Sequence, residues 1–418
     1  MSKLPFLITA ILATAAAGTA HGQSMDLFGP QTYSTWVDIR ARSVDGERSW
    51  LDGGFGKLRT GGDTSDIAIA QAVLLWTPRF SDTIIANVFV QGAPDANPSI
   101  DISEAYIKWK PVPTSATRFS LRVGRMFAPL SQEHDGPGWT LTRTLTPSVI
   151  NSWVGEELLV DGVEANVQSR WRQHGLGATL GLYGSSDTAG TLLAFRGWAQ
   201  HDLISTGHSK LPLPLGNVSG FNTVFTQQAT ISRPAVEVDG RLGHYVRLDW
   251  RPPSLIAFHL SYLHNPGKTT LVENGQYGWA TRLVEGGFQA QLSPGNTLLG
   301  QALTGTTQMG GLVNADREAV DIRFDAAYIM LSHAFDNAST LSLRADSFKV
   351  TDRSWMQIDN NNEKGRSVTV AWIKPLNDHL SLGVEAVHID SRRPSRQTQS
   401  VAERQHQTLI QVSVKIRP

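Results

Sequence analysis

Seven short connections alternate with eight long ones along this chain, and they separate stretches in which apolar and polar residues alternate. The short ones are TPRFSD (77–82), KPVPTSAT (110–117), WRQH (171–174), RPPS (251–254), SPGN (293–296), FDNAS (335–339) and KPLNDH (374–379). A period of two puts successive side chains on opposite faces of a sheet. Tight turns at one end and long loops at the other are the pattern of an antiparallel sheet closed into a transmembrane barrel. Trp76, Trp109, Trp171, Trp250 and Trp372 all stand at or beside the entrance to a short connection. An amphipathic indole suits the membrane interface there, so these five are read as a girdle.

The spacing predicts strands over 33–41, 67–77, 82–91, 101–110, 118–127, 157–170, 174–183, 243–251, 255–265, 278–291, 296–305, 319–333, 339–349, 366–374, 380–389 and 406–417. The fold class is therefore all-β, a sixteen-stranded antiparallel transmembrane barrel with short periplasmic turns, long extracellular loops and both termini in the periplasm. A barrel of that size encloses a lumen too wide for wall side chains to fill, which leaves an aqueous channel. The stretch 192–200 also looks extended, but a seventeenth strand would break the even parity of single-chain bacterial barrels. It is assigned to the long fourth outer loop, 184–242, as a local helix or hairpin.

Some strands show their two faces plainly. Val320, Ile322, Phe324, Ala326, Tyr328 and Met330 oppose Asp321, Arg323 and Asp325, and the charged set is assigned to the lumen. In contrast, IAIAQAVLLW (67–76) has no decisive polar face, and Arg125 falls in phase with Phe119, Leu121 and Val123. A bulge, or an interfacial position where the long side chain snorkels, would accommodate that arginine.

Residues 1–22 read as an export signal, with Lys3, an apolar run from Leu4 to Ala17 and small residues around Ala20 and Gly22, leaving 23–418 as the barrel. The apolar run is shorter than the roughly 20 residues of a spanning helix. Cysteine is absent, which removes disulfides and thiolate metal sites. Bases and acids balance at 37 each, and loss of Lys3 leaves 36 against 37. Nothing in that balance points to a nucleic-acid partner. No nucleophile elbow, zinc-protease helix or phosphate-cradling glycine loop is present, so neither an enzyme nor a cofactor is expected.

The segments VGRMFAPLSQEHDG (123–136) and LTPSVINSWVGEELLVDGVEA (145–165), with SWLDGGFGKLRTGG (49–62) as a first loop, resemble the outer-membrane porins of the phosphate-selective family. The resemblance implies a homotrimeric passive channel in the bacterial outer membrane, contacting lipid and lipopolysaccharide and passing small polar solutes or anions. It further implies that the third loop, 128–156, folds into the lumen and narrows it.

On that basis Arg122 and Arg143 are expected at the constriction, where a guanidinium presents a fixed fork to phosphate or carboxylate. Glu133, Asp135, Glu156 and Glu157 face them across the channel and set up a transverse field. Replacing both arginines by alanine is then expected to lower anion permeability. Phase places Arg40, Arg42, Lys108, Lys110, Arg122, Arg170, Arg247, Arg251, Arg323, Arg344, Lys415 and Arg417 on the lumen wall, against Asp38, Glu104, Glu164, Asp249, Asp321, Asp325, Asp346 and Glu385. Twelve bases to eight acids give a weak lean toward anions; pairing across neighbouring strands is the plainer role of such charges. Asp359 to Glu363 offers oxygen ligands or a solvated turn, and the run from Arg392 to Arg396 suits lipopolysaccharide phosphates or an ordinary exposed loop. A barrel-borne enzyme, or an adhesin built on the fourth outer loop, is the alternative function.

Overall fold

The structure, a computed structural model, describes residues 25–214, 227–314, 317–354 and 360–418. The export signal and Asp359 lie outside the described residues. Among the described residues no helix is long and apolar enough to cross a membrane.

Sixteen antiparallel strands close on themselves. In chain order they are β1 (Tyr33–Asp45), β2 (Ser65–Trp76), β3 (Ile84–Gly92), β4 (Ile100–Trp109), β5 (Arg118–Phe127), β6 (Leu159–Trp171), β7 (His174–Tyr183), β8 (Gly243–Arg251), β9 (Ile256–Pro266), β10 (Ala280–Ser293), β11 (Asn296–Asn314), β12 (Arg317–Ala334), β13 (Thr340–Asp352), β14 (Glu363–Pro375), β15 (Leu380–Arg392) and β16 (Arg404–Ile416). Closure pairs β1 with β16, from Val37 opposite Ile416 to Asp45 opposite Thr408, so the sheet has no open edge. The expected strands are all present. Where they differ most, the observed strand runs further toward the long loops, β11 reaching Asn314 rather than 305. Pairing there continues past the point where the apolar alternation fades.

A bulge explains the ambiguous second strand. Asp38 faces Gln71 and Ile39 faces Ile69, so Ala70 is an extra residue and the phase of β2 flips at it. Arg125 needs no bulge, since its pairing with β6 is continuous. Its guanidinium makes a bidentate pair with Asp161 at 2.8 Å on the outer side of β5 and β6.

The outer face carries the apolar half of most strands: Val163, Val167, Leu176, Leu180, Leu248, Leu260, Leu343, Val368, Val370, Ile410 and Val412 are all exposed. Trp76, Trp109, Trp171, Trp250 and Trp372, expected as a girdle, share the phase of these side chains at the short-turn ends; Trp109, Trp171 and Trp250 are 43 %, 59 % and 46 % exposed.

The assignment of faces on β12 is reversed. Ile322, Phe324, Tyr328 and Met330 are buried inside the barrel, whereas the Arg323 side chain is 54 % exposed beside Asp325 on the outer face. Arg323, with Asp321 and Asp325, therefore does not line the lumen. Period two separates the faces of a strand without saying which is inward. Here the inside is apolar because protein rather than water lies against it.

That filling comes from two loops. The third loop contributes α1 (Val149–Glu157), opened by Ser148, whose hydroxyl accepts the Asn151 N–H. Every residue of α1 is buried, as expected for a short helix wedged between a wall and a second loop. The fourth loop was expected outside. Instead its residues 185–206, all but Asp202, are buried in the bore, with a short helix, α2 (Thr191–Phe195), over part of the stretch that looked extended. Trp153 of α1 packs on Phe324 at 5.3 Å between ring centroids and on Trp198 of the fourth loop at 6.0 Å. Glycines bracket α2: Gly190 has φ +106° and Gly197 φ +81°, and a Cβ would meet Thr307 Oγ1 at 2.2 Å and Glu363 Oε2 at 2.1 Å. Both positions need positive φ and close approach to the wall, which glycine alone allows freely.

Candidate functional site

Wall charges hold the third loop in place. Arg344 on β13 is fully buried; it binds Glu133 at 2.8 Å and donates to the carbonyls of Thr146 and Pro147 at 2.9 Å each. Glu133 also accepts from Ser148 N at 2.8 Å and Asn151 Nδ2 at 2.6 Å. Glu385 accepts the N–H groups of Leu145 and Thr146 at 2.7 and 3.1 Å, and Asp346 accepts that of Val149 at 3.2 Å. Arg247 on β8 donates to the Pro129 carbonyl at 2.7 Å. Burying these charges is tolerable because each meets an opposite charge or a backbone dipole.

The fourth loop is latched to the third. Arg196 grips Glu156 through two bonds of 2.7 Å, its guanidinium lies 4.5 Å from the centroid of the Trp50 ring, and His201 Nε2 reaches the same carboxylate at 2.8 Å. Burial alone would raise the Glu156 carboxyl, but Arg196 and His201 outweigh it and hold it down at about 2. A carboxyl depressed in the docked state stabilises docking fully above its free value near 4.3 and ceases to do so as pH falls through the depressed value. The loop is therefore expected to stay seated from neutral pH to about pH 4 and to loosen toward pH 2. A single-channel conductance that stays the same between about pH 4 and pH 2 would contradict this assignment of the latch.

Two cavities adjoin along β1 and β16. Below the loops, a cavity of about 260 Å³ is bounded by Asp38, Arg40, His134, Trp139, Asp202, Ser413 and Lys415, reaching Arg417 at the short-turn end. Above it, a space of about 10 Å³ is lined by Arg40, Arg42, Arg59, Thr146, His201, Asp202 and Gln411. Arg40 and Asp202 border both and form the neck, whose upper space holds about one water. Asp202 bridges Arg40 at 2.9 Å and Arg59 at 3.1 Å. Burial opposes its ionisation, yet the two guanidiniums keep its carboxyl well below the usual range. Burial also pushes the His134 ring down to about 4, so it is neutral at physiological pH.

Of the residues expected at the constriction, the structure does not bring Arg122 and Arg143 together. Arg122 is forked onto Glu164 on the wall at 2.8 and 2.7 Å, and Arg143 pairs with Asp135 within the third loop. Glu133 and Glu156 are buried in the contacts above and line neither cavity. Among the expected lumen residues, Arg40 and Arg42 border the neck, with Arg42 paired to Asp66 at 2.6 Å. Lys108 and Lys110 line a recess with Arg118, and Arg170 lines another with Asp249 and Arg251 at the short-turn end.

Arg59 and Asp202 were missed because both come from loops. A signal did exist, since Leu192, Leu193, Phe195, Trp198 and Ile204 are too apolar for a loop facing water.

Two other expectations change. Arg393 and Arg396 are fully buried, Arg396 binding Glu47 at 2.7 Å and Arg393 donating to Asn361 and to loop-four carbonyls. They tie loops together and are not available to lipopolysaccharide; Arg392 is exposed and pairs with Glu403. Glu363 accepts from Trp198 N at 2.8 Å and pairs with Lys57, so it offers no oxygen to a calcium ion beside Asn360 to Asn362. Burial, with Arg396 and Arg393 nearby, outweighs Glu363 and pushes the Lys57 ammonium down to about 7.

No protein-family model matches the chain, and no curated protein matches it. Among solved structures, the chain is similar to the anion-selective porin from Comamonas acidovorans, at 12 % identity over 93 % of this chain and 99 % of that one, with a TM-score of 0.52. It is also similar to the outer membrane channel DcaP of Acinetobacter baumannii, at 11 % identity over 92 % and 96 % of the two chains, with a TM-score of 0.53. At such identities the likeness is one of fold, and what it adds is that the sixteen-stranded closed barrel found here is a porin-like architecture.

Proposed function

We propose that the chain is a channel of the bacterial outer membrane through which small hydrophilic solutes diffuse passively, with a weak lean toward anions such as phosphate. The observation that carries this reading is a closed barrel, apolar outside, whose bore holds two adjoining charged cavities beside β1 and β16, which we read as a passage. Five bases line that passage, Arg40, Arg42, Arg59, Lys415 and Arg417, against the acids Asp38 and Asp202. Asp66 and Asp95 hold Arg42 and Arg59 from behind, so five bases meet four acids and the excess is one positive charge. The small excess supports a preference rather than strict exclusion. The porin-like fold supports the same reading, and with it kinship to the phosphate-selective porins, export through a leader over 1–22 and assembly as a homotrimer. The adhesin alternative loses its support, because the described core of the fourth loop is buried.

In planar bilayers the purified chain should give discrete ohmic conductance steps; none over many insertions would leave a closed barrel. The outward phase is tested by Leu343→Arg, which should cost about 2–4 kcal/mol in lipid vesicles if this exposed side chain lies near the bilayer midplane. A denaturant midpoint equal to wild type would place Leu343 away from lipid.

A further inference from the structure

We infer that Asp187, Glu237 and Asp239 form a binding site for a divalent cation of the calcium type at the root of the fourth loop, a site distinct from the passage. One oxygen or more from each of the three carboxylates lies within 4.8 Å of the others. Calcium binds oxygen at about 2.3–2.6 Å, so two ligands of one ion stand up to about 5 Å apart.

The second observation is Asp187 itself. Its side chain is buried, with 1 % of the residue exposed, yet its Oδ1 has no hydrogen-bond partner. Its Oδ2 accepts from Val238 N at 2.7 Å and Asp239 N at 3.3 Å, which aims the carboxylate at the turn bearing the other two acids. Glu237 and Asp239 are ordered by backbone donors: Gly240 N reaches Glu237 at 2.6 Å, and Arg241 N reaches Asp239 at 2.9 Å. Among the described residues no basic side chain pairs with any of the three; Arg241, the base nearest in sequence to Asp239, turns to the Pro266 carbonyl at 3.0 Å. Three carboxylates thus converge without a counter-charge. Burial, and then the charge of Asp187, pushes the Glu237 carboxyl up to about 7, and burial raises that of Asp187. A dication would relieve that repulsion. Glu237 is exposed, so water can complete the six to eight ligands calcium takes.

The location gives the site a role. Asp187 leaves the wall where the fourth loop begins, and Glu237 and Asp239 stand where it returns. A cation here clasps both ends of the segment that fills the bore.

The test uses the full chain folded in detergent free of lipopolysaccharide and stripped with EDTA. Equilibrium dialysis with Ca²⁺ alone should show saturable binding with a Kd of about 10⁻⁴–10⁻³ M, as for extracellular calcium modules. Asp187→Asn with Glu237→Gln should weaken it by about ten-fold or more, the direction set by loss of ligand charge. Folding of the variant is checked by its heat-dependent shift on electrophoresis. If the variant does not fold, Tb³⁺ luminescence excited through tryptophan decides on the wild type, because Trp279 N donates to the Asp187 carbonyl at 2.8 Å; Ca²⁺ should quench it by displacement. No saturable Ca²⁺ binding to the wild type, unaltered affinity in the folded double variant, or no Ca²⁺-displaceable Tb³⁺ signal would overturn the site.

Discussion

Arg196→Ala should raise single-channel conductance several-fold and make it flicker. The substitution removes the partner of a carboxylate that has no access to water, since Arg196 and Glu156 are exposed by 0 % and 1 %. Breaking a buried pair from one side costs about 3–5 kcal/mol. Divided by 1.4 kcal/mol per decade, that lowers the ratio of docked to undocked fourth loop by about two to three and a half orders of magnitude. The wall is held by its own ladder of strand pairs and keeps its shape while the plug lets go. His201 remains on Glu156 and offsets part of the loss. Arg196→Lys should fall between, because an ammonium cannot make the two parallel bonds. Replacing both partners with apolar residues of similar volume, Arg196→Met with Glu156→Leu, should restore much of the docking. A conductance unchanged in Arg196→Ala would mean that apolar packing around Trp153 and Trp198 seats the loop without the latch.

Asp202→Asn should move the reversal potential in a salt gradient toward anions, and Arg40→Ala with Arg59→Ala should move it toward cations. Asp202 stands between the two guanidiniums where the two cavities adjoin, so removing its charge leaves Arg40 and Arg59 less compensated at that point of the proposed passage. Both shifts should be larger at low salt, because the screening length falls from about 30 Å at 0.01 M to about 10 Å at 0.1 M. The pair Arg122 and Arg143 is the comparison. Each is held by its own carboxylate, Glu164 or Asp135, and the geometry gives their joint removal a smaller effect. A shift from that pair as large as the one from Arg40 and Arg59 would move the selective point to the wall beside Glu164 and the outer part of the third loop.

How far the chain could be read before its fold was seen follows from what each signal reports. Turn composition and strand period are local, so Gly243–Arg251, His174–Tyr183 and Arg118–Phe127 match their expected bounds. The outward phase of Trp109, Trp171 and Trp250 was legible for the same reason. On β12 locality failed: Phe324 and Arg323 alternate cleanly, yet only the presence of Trp153 and Trp198 across the bore makes the apolar face the inner one. The site was half legible. Arg40 and Arg42 sit on a strand whose phase could be counted, whereas Arg59 and Asp202 depend on where two loops come to rest.

The sequence by itself determined a closed sheet of sixteen strands, its turns, and two separated faces on most strands, because backbone pairing and a period of two are written into neighbouring residues. Only the tertiary structure decided that the fourth loop turns inward, that Arg344 and Arg396 are braces rather than free charges, and that two charged cavities adjoin at Arg40 and Asp202. Those outcomes rest on contacts between residues far apart in the chain, such as Glu156 with Arg196 and Glu133 with Arg344. Burying a charge or an indole is favourable only where its partner has already been brought to meet it.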